Sequence, residues 1–103
     1  MASFSMLEMD VIRWAEARDI IKHSTPMAQA AKTIEEVGEL AAALNSNDRT
    51  AAKDAYGDIL VTLIVGSDML HLSLLECLES AYDEIKHRRG KLNSAGVFVK
   101  EAN

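Results

Sequence analysis

The chain has a single cysteine, a single proline and a single tryptophan among its 103 residues. Cys77 has no partner for an internal disulfide, and no cysteine–histidine spacing suits zinc. Cations are in the minority, with 11 Lys and Arg against 16 Asp and Glu for a net charge of -5. No basic patch of any size appears, which argues against a nucleic-acid duplex or an anionic membrane as partner. The apolar run at 59–66 is too short to span a bilayer, and no signal-peptide pattern is present. The expected location is therefore the cytoplasm. The few glycines build no phosphate-binding loop, and Ser24, Thr25 and Cys77 have no activating partner at a recognisable spacing.

Helix-forming patterns fill the rest. With 49% hydrophobic residues, the chain is expected to form one all-α domain over 1–103 with a small core, which oligomerisation would help to stabilise. Leu7, Val11, Trp14 and Ile21 recur at helical spacing, so a first helix is expected from Met6 to about Lys22. Thr25 and Pro26 form an N-cap and first turn for a second helix, Met27 to about Leu44. Its apolar stripe is Met27, Ala30, Ala31, Ile34, Val37, Gly38, Ala41 and Leu44. Asp48 can cap a third helix, about Arg49 to His71. Gly38, Gly57 and Gly66 are small enough for tight helix contacts. Ser73 and Glu76 form a capping box for a fourth helix. It should run from Leu74 to about Arg89, with Leu74, Leu78, Ala81, Tyr82 and Ile85 inward and Gly90 as its stop. The remainder, with Val97-Phe98-Val99, reads as an extension packed on the body or on a partner subunit.

Chemistry concentrates in 32–58. Glu35, Glu36 and Glu39 fall within roughly a 100° arc of the second helix, and Asp54 and Asp58 share a face of the third. Packing those helices together would gather four or five carboxylates. That is unfavourable while they are ionised unless a cation neutralises them. Hard oxygen donors suit Mg²⁺ or Mn²⁺. The plain alternative is a solvated acidic edge. Lys86, His87, Arg88, Arg89 and Lys91 read either as complements to a helix dipole or as a phosphate grip. Trp14 reads as core or as a flat wall for a nucleobase. Carboxylates with cations nearby fit metal-assisted phosphoanhydride hydrolysis.

The segments EEVGELAAAL and KDAYGDILVTLI resemble the all-α nucleoside triphosphate pyrophosphohydrolases of the MazG type. So do Trp14 to Arg18, Thr25-Pro26, Cys77 to Lys91 and Gly96 to Glu101, which resemble the short single-domain proteins of phages and bacteria. The resemblance implies a four-helix-bundle-like domain with a short C-terminal extension, in a bacterial or phage-infected host cytoplasm. It implies Mg-dependent hydrolysis of nucleoside triphosphates, with dNTPs favoured, to monophosphate and pyrophosphate. Glu36, Glu39 and Asp58 would be metal ligands, and Glu35 a further ligand or an activator of water. The family's ExxD motif has Ala55 where a glutamate is expected, and Asp54 is the nearest substitute. Lys86, Arg89 and Lys32 would contact phosphates, Asp83 falls among the substrate-binding positions, and Trp14 would stack on the base. A homodimer or homotetramer is implied, with subunits completing each other's sites. Two alternatives stay open: a catalytically weak, nucleotide-sensing dimerisation module, and a phosphoribosyl-ATP pyrophosphohydrolase-like activity.

Overall fold

A computed structural model describes residues 2–101. It contains α1 (Phe4–Ala17), α2 (Ile20–His23), α3 (Pro26–Asn45), α4 (Arg49–Met69), α5 (Leu74–Ile85) and the strands β1 (Gly90–Leu92) and β2 (Phe98–Lys100). The all-α expectation holds for the body. Each long helix starts on a side-chain oxygen that accepts an otherwise orphaned amide. Thr25 Oγ1 takes Ala28 N at 3.0 Å, Asp48 Oδ1 takes Ala51 N at 3.0 Å, and Ser73 Oγ takes Glu76 N at 3.3 Å. Ser3 does the same for α1.

The expected first helix is broken. Asp19 adopts φ 60°, a left-handed conformation that aspartate tolerates better than most residues, and α2 starts on a new axis. The third helix ends two residues earlier than expected, at Met69, with His71 left-handed at φ 59°. The fourth ends at Ile85, so Lys86–Arg89 lie beyond its last turn.

The antiparallel pair α3–α4 is the scaffold on which α1 and α5 lean. Its register is fixed by Thr33 Oγ1 against Thr62 Oγ1 at 2.7 Å and by Gln29 against Gly66. A Cβ on Gly66 would sit 3.2 Å from that of Gln29, so here the small residue does permit close approach. Among the described residues nothing lies within 4 Å of a Cβ built on Gly38 or Gly57, so these neighbours give them no such role. The seam is small and polar, with Glu36 and Ala43 buried on α3 and Ala52, Ala55, Thr62 and Val65 buried on α4.

Two expected apolar faces lie outside. Met27, Ile34, Val37 and Leu44 are exposed on α3, and Leu78, Tyr82 and Ile85, expected inward, are exposed on α5. The reason is positional: the α3–α4 register buries the Gln29–Thr33–Glu36–Ala43 side of α3, and α5 turns away from α4 at 100°. The tail is a β-hairpin with the register Gly90↔Lys100, Lys91↔Val99, Leu92↔Phe98, and no helix of its own chain lies against it.

The chain exposes 8070 Å², where a folded monomer of this mass exposes about 5,700 Å². Its radius of gyration is 16.1 Å, against about 13 Å for a compact chain of this length. No single helix among the described residues is long and apolar enough to cross a membrane.

Candidate active site

Glu36 is the centre of the site. Its position opposite α4 follows from the Thr33–Thr62 register, since Glu36 lies about one turn toward the hairpin loop from Thr33, and Asp58 one turn toward it from Thr62. Both line an open cavity of about 910 Å³ between α3, α4 and the α1–α2 corner. Glu36 is only 6% exposed. Lys32 Nζ lies 3.4 Å from its Oε1, and its Oε2 is buried with no hydrogen-bond partner. A buried carboxylate oxygen left unpaired costs about 1–3 kcal/mol, so this atom calls for a partner that it does not have among the described residues.

Glu39 stands one helical turn on. The neighbouring Glu36 carboxylate raises its pKa above the ordinary 4.5, first by hydrogen bonding to the protonated form and then by charge repulsion. A proton on Glu39 is thus the one donor the pair can generate internally. Lys32 bridges Glu35, at 3.2 Å, and Glu36. Its ammonium is held above its usual range chiefly by the hydrogen bond to Glu35. The hard, buried carboxylate of Glu36, with one oxygen unpartnered, fits a divalent cation together with Asp58 on the same cavity and Glu39 adjacent. No three acidic, histidine or cysteine side chains among the described residues already converge on one point. The arrangement is an acidic pair with a third carboxylate beside it, not a closed cage.

The other expected residues divide. Lys32, Glu36, Asp58 and Trp14 share the cavity. Trp14 is 44% exposed, so it is wall and not core. The Arg18 guanidinium sits 4.8 Å from its ring centroid and donates to the Trp14 carbonyl at 3.1 Å. Glu35 is exposed and points to Lys32. Asp54 is exposed and lines no part of the cavity, whereas Ala55 is buried. Asp83, Lys86 and Arg89 also lie outside it. Asp83 pairs with Lys86 at 3.1 Å, and Arg89 approaches Glu101 at 4.0 Å.

Several cavity residues escaped sequence reasoning. Arg18, Asp19, His23, Ser24, Gln29 and Thr62 complete the wall. Gln29 Nε2 donates to Ser24 Oγ at 3.1 Å. The interruption at His23-Ser24 was the available signal, because polar residues between two helices are free to face a cleft. Glu8 was also missed. It is 8% exposed and accepts from Ser73 Oγ at 3.0 Å and from Leu75 N at 3.2 Å, tying α1 to the N-terminus of α5.

Comparisons with known proteins give the family and the fold. The family model described as the MazG nucleotide pyrophosphohydrolase domain matches residues 24–92. A protein of Haemophilus phage HP1, an uncharacterized 18.2 kDa product, is 35% identical over 77 residues. The match covers 74% of this chain and 47% of that protein, so the chain spans about half the length of its curated relative. Among solved structures, a MazG-like pyrophosphohydrolase of cyanophage S-2L, bound to dGDP and three catalytic Mn²⁺ ions per active site, superposes with a TM-score of 0.74. That match is at 18% identity and covers 99% of this chain and 96% of the other.

Proposed function

We propose, since the chain belongs to the MazG nucleotide pyrophosphohydrolase family, that it hydrolyses nucleoside triphosphates to the monophosphate and pyrophosphate. Deoxynucleotides are the favoured substrates and a divalent cation, Mg²⁺ or Mn²⁺, the cofactor. The observation that carries this reading is the buried, unpartnered Oε2 of Glu36, a residue that lines one cavity with Asp58 and Lys32. That the cyanophage protein of the same fold binds dGDP and Mn²⁺ supports it.

Glu36, Glu39 and Asp58 would hold the cation, with Glu35 at its edge and Asp54 a weaker contributor. Bound there, a divalent ion neutralises the carboxylates and the substrate phosphates and sharpens the electrophilicity of phosphorus. The chain's own groups supply the rest. Lys32 keeps its proton and offers a positive charge to a phosphate oxygen. Glu35, at the edge of the acidic set, is the carboxylate suited to take the proton from the attacking water. That water's oxygen bonds to the α-phosphorus as the bond to the β-phosphate bridging oxygen breaks. Trp14 gives the base a flat wall, with Arg18 stacked on the ring.

Lys86, Arg89 and Asp83 would serve the cavity of a neighbouring copy, because their own lies elsewhere. The roughly 2,300 Å² of surface beyond what a compact monomer shows favours a homodimer or homotetramer. We read residues 1–103 as one catalytic domain acting in a bacterial or phage-infected cytoplasm. Buried Ala55 supports a second reading, a catalytically weak nucleotide sensor, because the site has one carboxylate fewer than the family pattern.

The test is a panel of NTPs and dNTPs with Mg²⁺ or Mn²⁺, with and without chelator, separating pyrophosphate from orthophosphate. Metal-dependent pyrophosphate release is the expected result. Orthophosphate release would overturn the bond assignment. Nucleotide binding without turnover would select the sensor.

A further inference from the structure

The C-terminal hairpin is well built locally and covered by no helix among the described residues. Asn93 Oδ1 accepts from Ala95 N and Val97 N at 2.9 and 3.0 Å, and Gly96 turns the chain at φ +80°. The Phe98 ring covers Gly90 so closely that a Cβ there would lie 2.6 Å from its Cζ and against the Val99 carbonyl. Yet every strand residue is exposed, and Leu92, Val97, Phe98 and Val99 each show half or more of their surface. A lone two-stranded hairpin is marginal in water, so an apolar arm of this kind calls for a surface to lie on.

Helix α5 has the matching deficiency. Leu78, Tyr82 and Ile85 form an uncovered stripe, contiguous at helical spacing. Charge separates the two elements. Residues 74–85 contain Glu76, Glu79, Asp83 and Glu84 and no cation, whereas 86–101 contain Lys86, Arg88, Arg89, Lys91 and Lys100 against Glu101 alone. Once the Lys86–Asp83 and Arg89–Glu101 pairs are set aside, Glu76, Glu79 and Glu84 remain on α5 and Arg88, Lys91 and Lys100 on the arm. None of these six makes an ion pair among the described residues. The arm does not fold back on its own α5.

We propose that two copies of this chain exchange their C-terminal arms, the 90–100 hairpin of each lying on the Leu78–Tyr82–Ile85 face of the other's α5. The contact is self-complementary: an acidic apolar helix and a basic apolar arm on each copy meet their opposites about one two-fold axis. The excess exposed surface is larger than the roughly 800 Å² each partner buries in a standard interface. The proposal rests on the oligomeric part of the preceding reading and is independent of its chemistry.

The experiment mixes two forms of the full chain, both carrying Cys77→Ser. One is ¹⁵N-labelled. The other is unlabelled, present in large excess so that nearly every labelled copy pairs with it, and bears a nitroxide at Ala95→Cys on the arm tip. Amides of α5 in the labelled copy should lose most of their intensity relative to the reduced nitroxide, while those of the α3–α4 loop keep theirs. Phe98→Asp in the spin-labelled copy, with helical circular dichroism unchanged, should restore the α5 signals. Light scattering on the same samples separates the two readings. A single-chain mass would overturn both the oligomer and the exchange. An oligomer with unattenuated α5 signals would overturn the exchange alone.

Discussion

Replacing Glu36 by glutamine should stabilise the protein without metal and remove its response to metal. The carboxylate is buried, one oxygen is unpartnered, and the other has only the half-exposed Lys32 at 3.4 Å. Leaving that oxygen unpaired costs about 1–3 kcal/mol. Losing a pair with an exposed lysine gives back less than about 1 kcal/mol. Glutamine keeps the shape, drops the charge, and brings an amide donor to the neighbouring Glu39. The net gain is about 1–2 kcal/mol. For a domain of this size each kcal/mol moves the melting point by about 4–8 °C, so chelated Glu36→Gln should melt roughly 4–16 °C above wild type. Mn²⁺ reverses the order. At a hundredfold excess over Kd a ligand adds about 2.7 kcal/mol to the form that binds it, and only the wild type should collect that increment. Thermal melts followed by circular dichroism, with chelator and across a Mn²⁺ titration, read both arms. Glu35→Gln is the control: Glu35 is exposed, so its chelated stability should stay within about 0.5 kcal/mol of wild type. A Glu36→Gln variant that melts below wild type, or that keeps the full Mn²⁺ increment, would refute the reasoning.

Four further outcomes are expected. Since Glu39 has its folded pKa above 4.5, its contribution to metal-free stability is present at acid pH. That contribution is lost as pH rises through the raised value, so Glu39→Gln should flatten the decline in chemical-denaturation series, and turnover should disappear with the fold intact. Mn²⁺ binding at acid pH should release a proton from Glu39, visible by calorimetry in buffers of different ionisation enthalpy and absent in that variant. Asp58→Asn should cost at least about 100-fold in turnover and Asp54→Asn less than about tenfold, because only Asp58 lines the cavity; the reverse ranking in steady-state assays would make Asp54 the primary ligand. Glu8→Ala should lower stability by about 1–3 kcal/mol in urea titrations, since it strips the Ser73 hydroxyl and the Leu75 amide of their acceptor.

Local chemistry made much of this legible in advance. Thr25, Asp48 and Ser73 announce their helices because a capping bond spans three residues and needs no tertiary partner. Glu36 and Asp58 could be paired because two helices joined by a short polar turn must run antiparallel. Asp19 was hidden because its left-handed conformation is a tolerance and not a preference, and nothing in the 6–22 periodicity marks it. Glu8 was hidden because the Ser73 hydroxyl and the Leu75 amide that donate to it lie 65 and 67 residues away, a distance no spacing rule crosses.

The faces of α3 and α5 show the deeper reason for what was missed. Periodicity reports that a helix has an apolar stripe, not what covers it. In α3 the residues that meet α4 are glutamine, threonine, glutamate and alanine, while methionine, isoleucine, valine and leucine face outward. A lone chain folded this way pays twice, by burying a carboxylate and by wetting its largest apolar residues. Both costs fall if a cation occupies the seam and a second chain covers the outside. The polar seam and the apolar exterior therefore belong to one arrangement. Packing α3 on α4 through small side chains keeps the carboxylates facing each other at the cavity, and that same packing turns the apolar stripes toward a neighbour. On this argument the placement of the acidic site and the need for a partner have a single origin, the Thr33–Thr62 register.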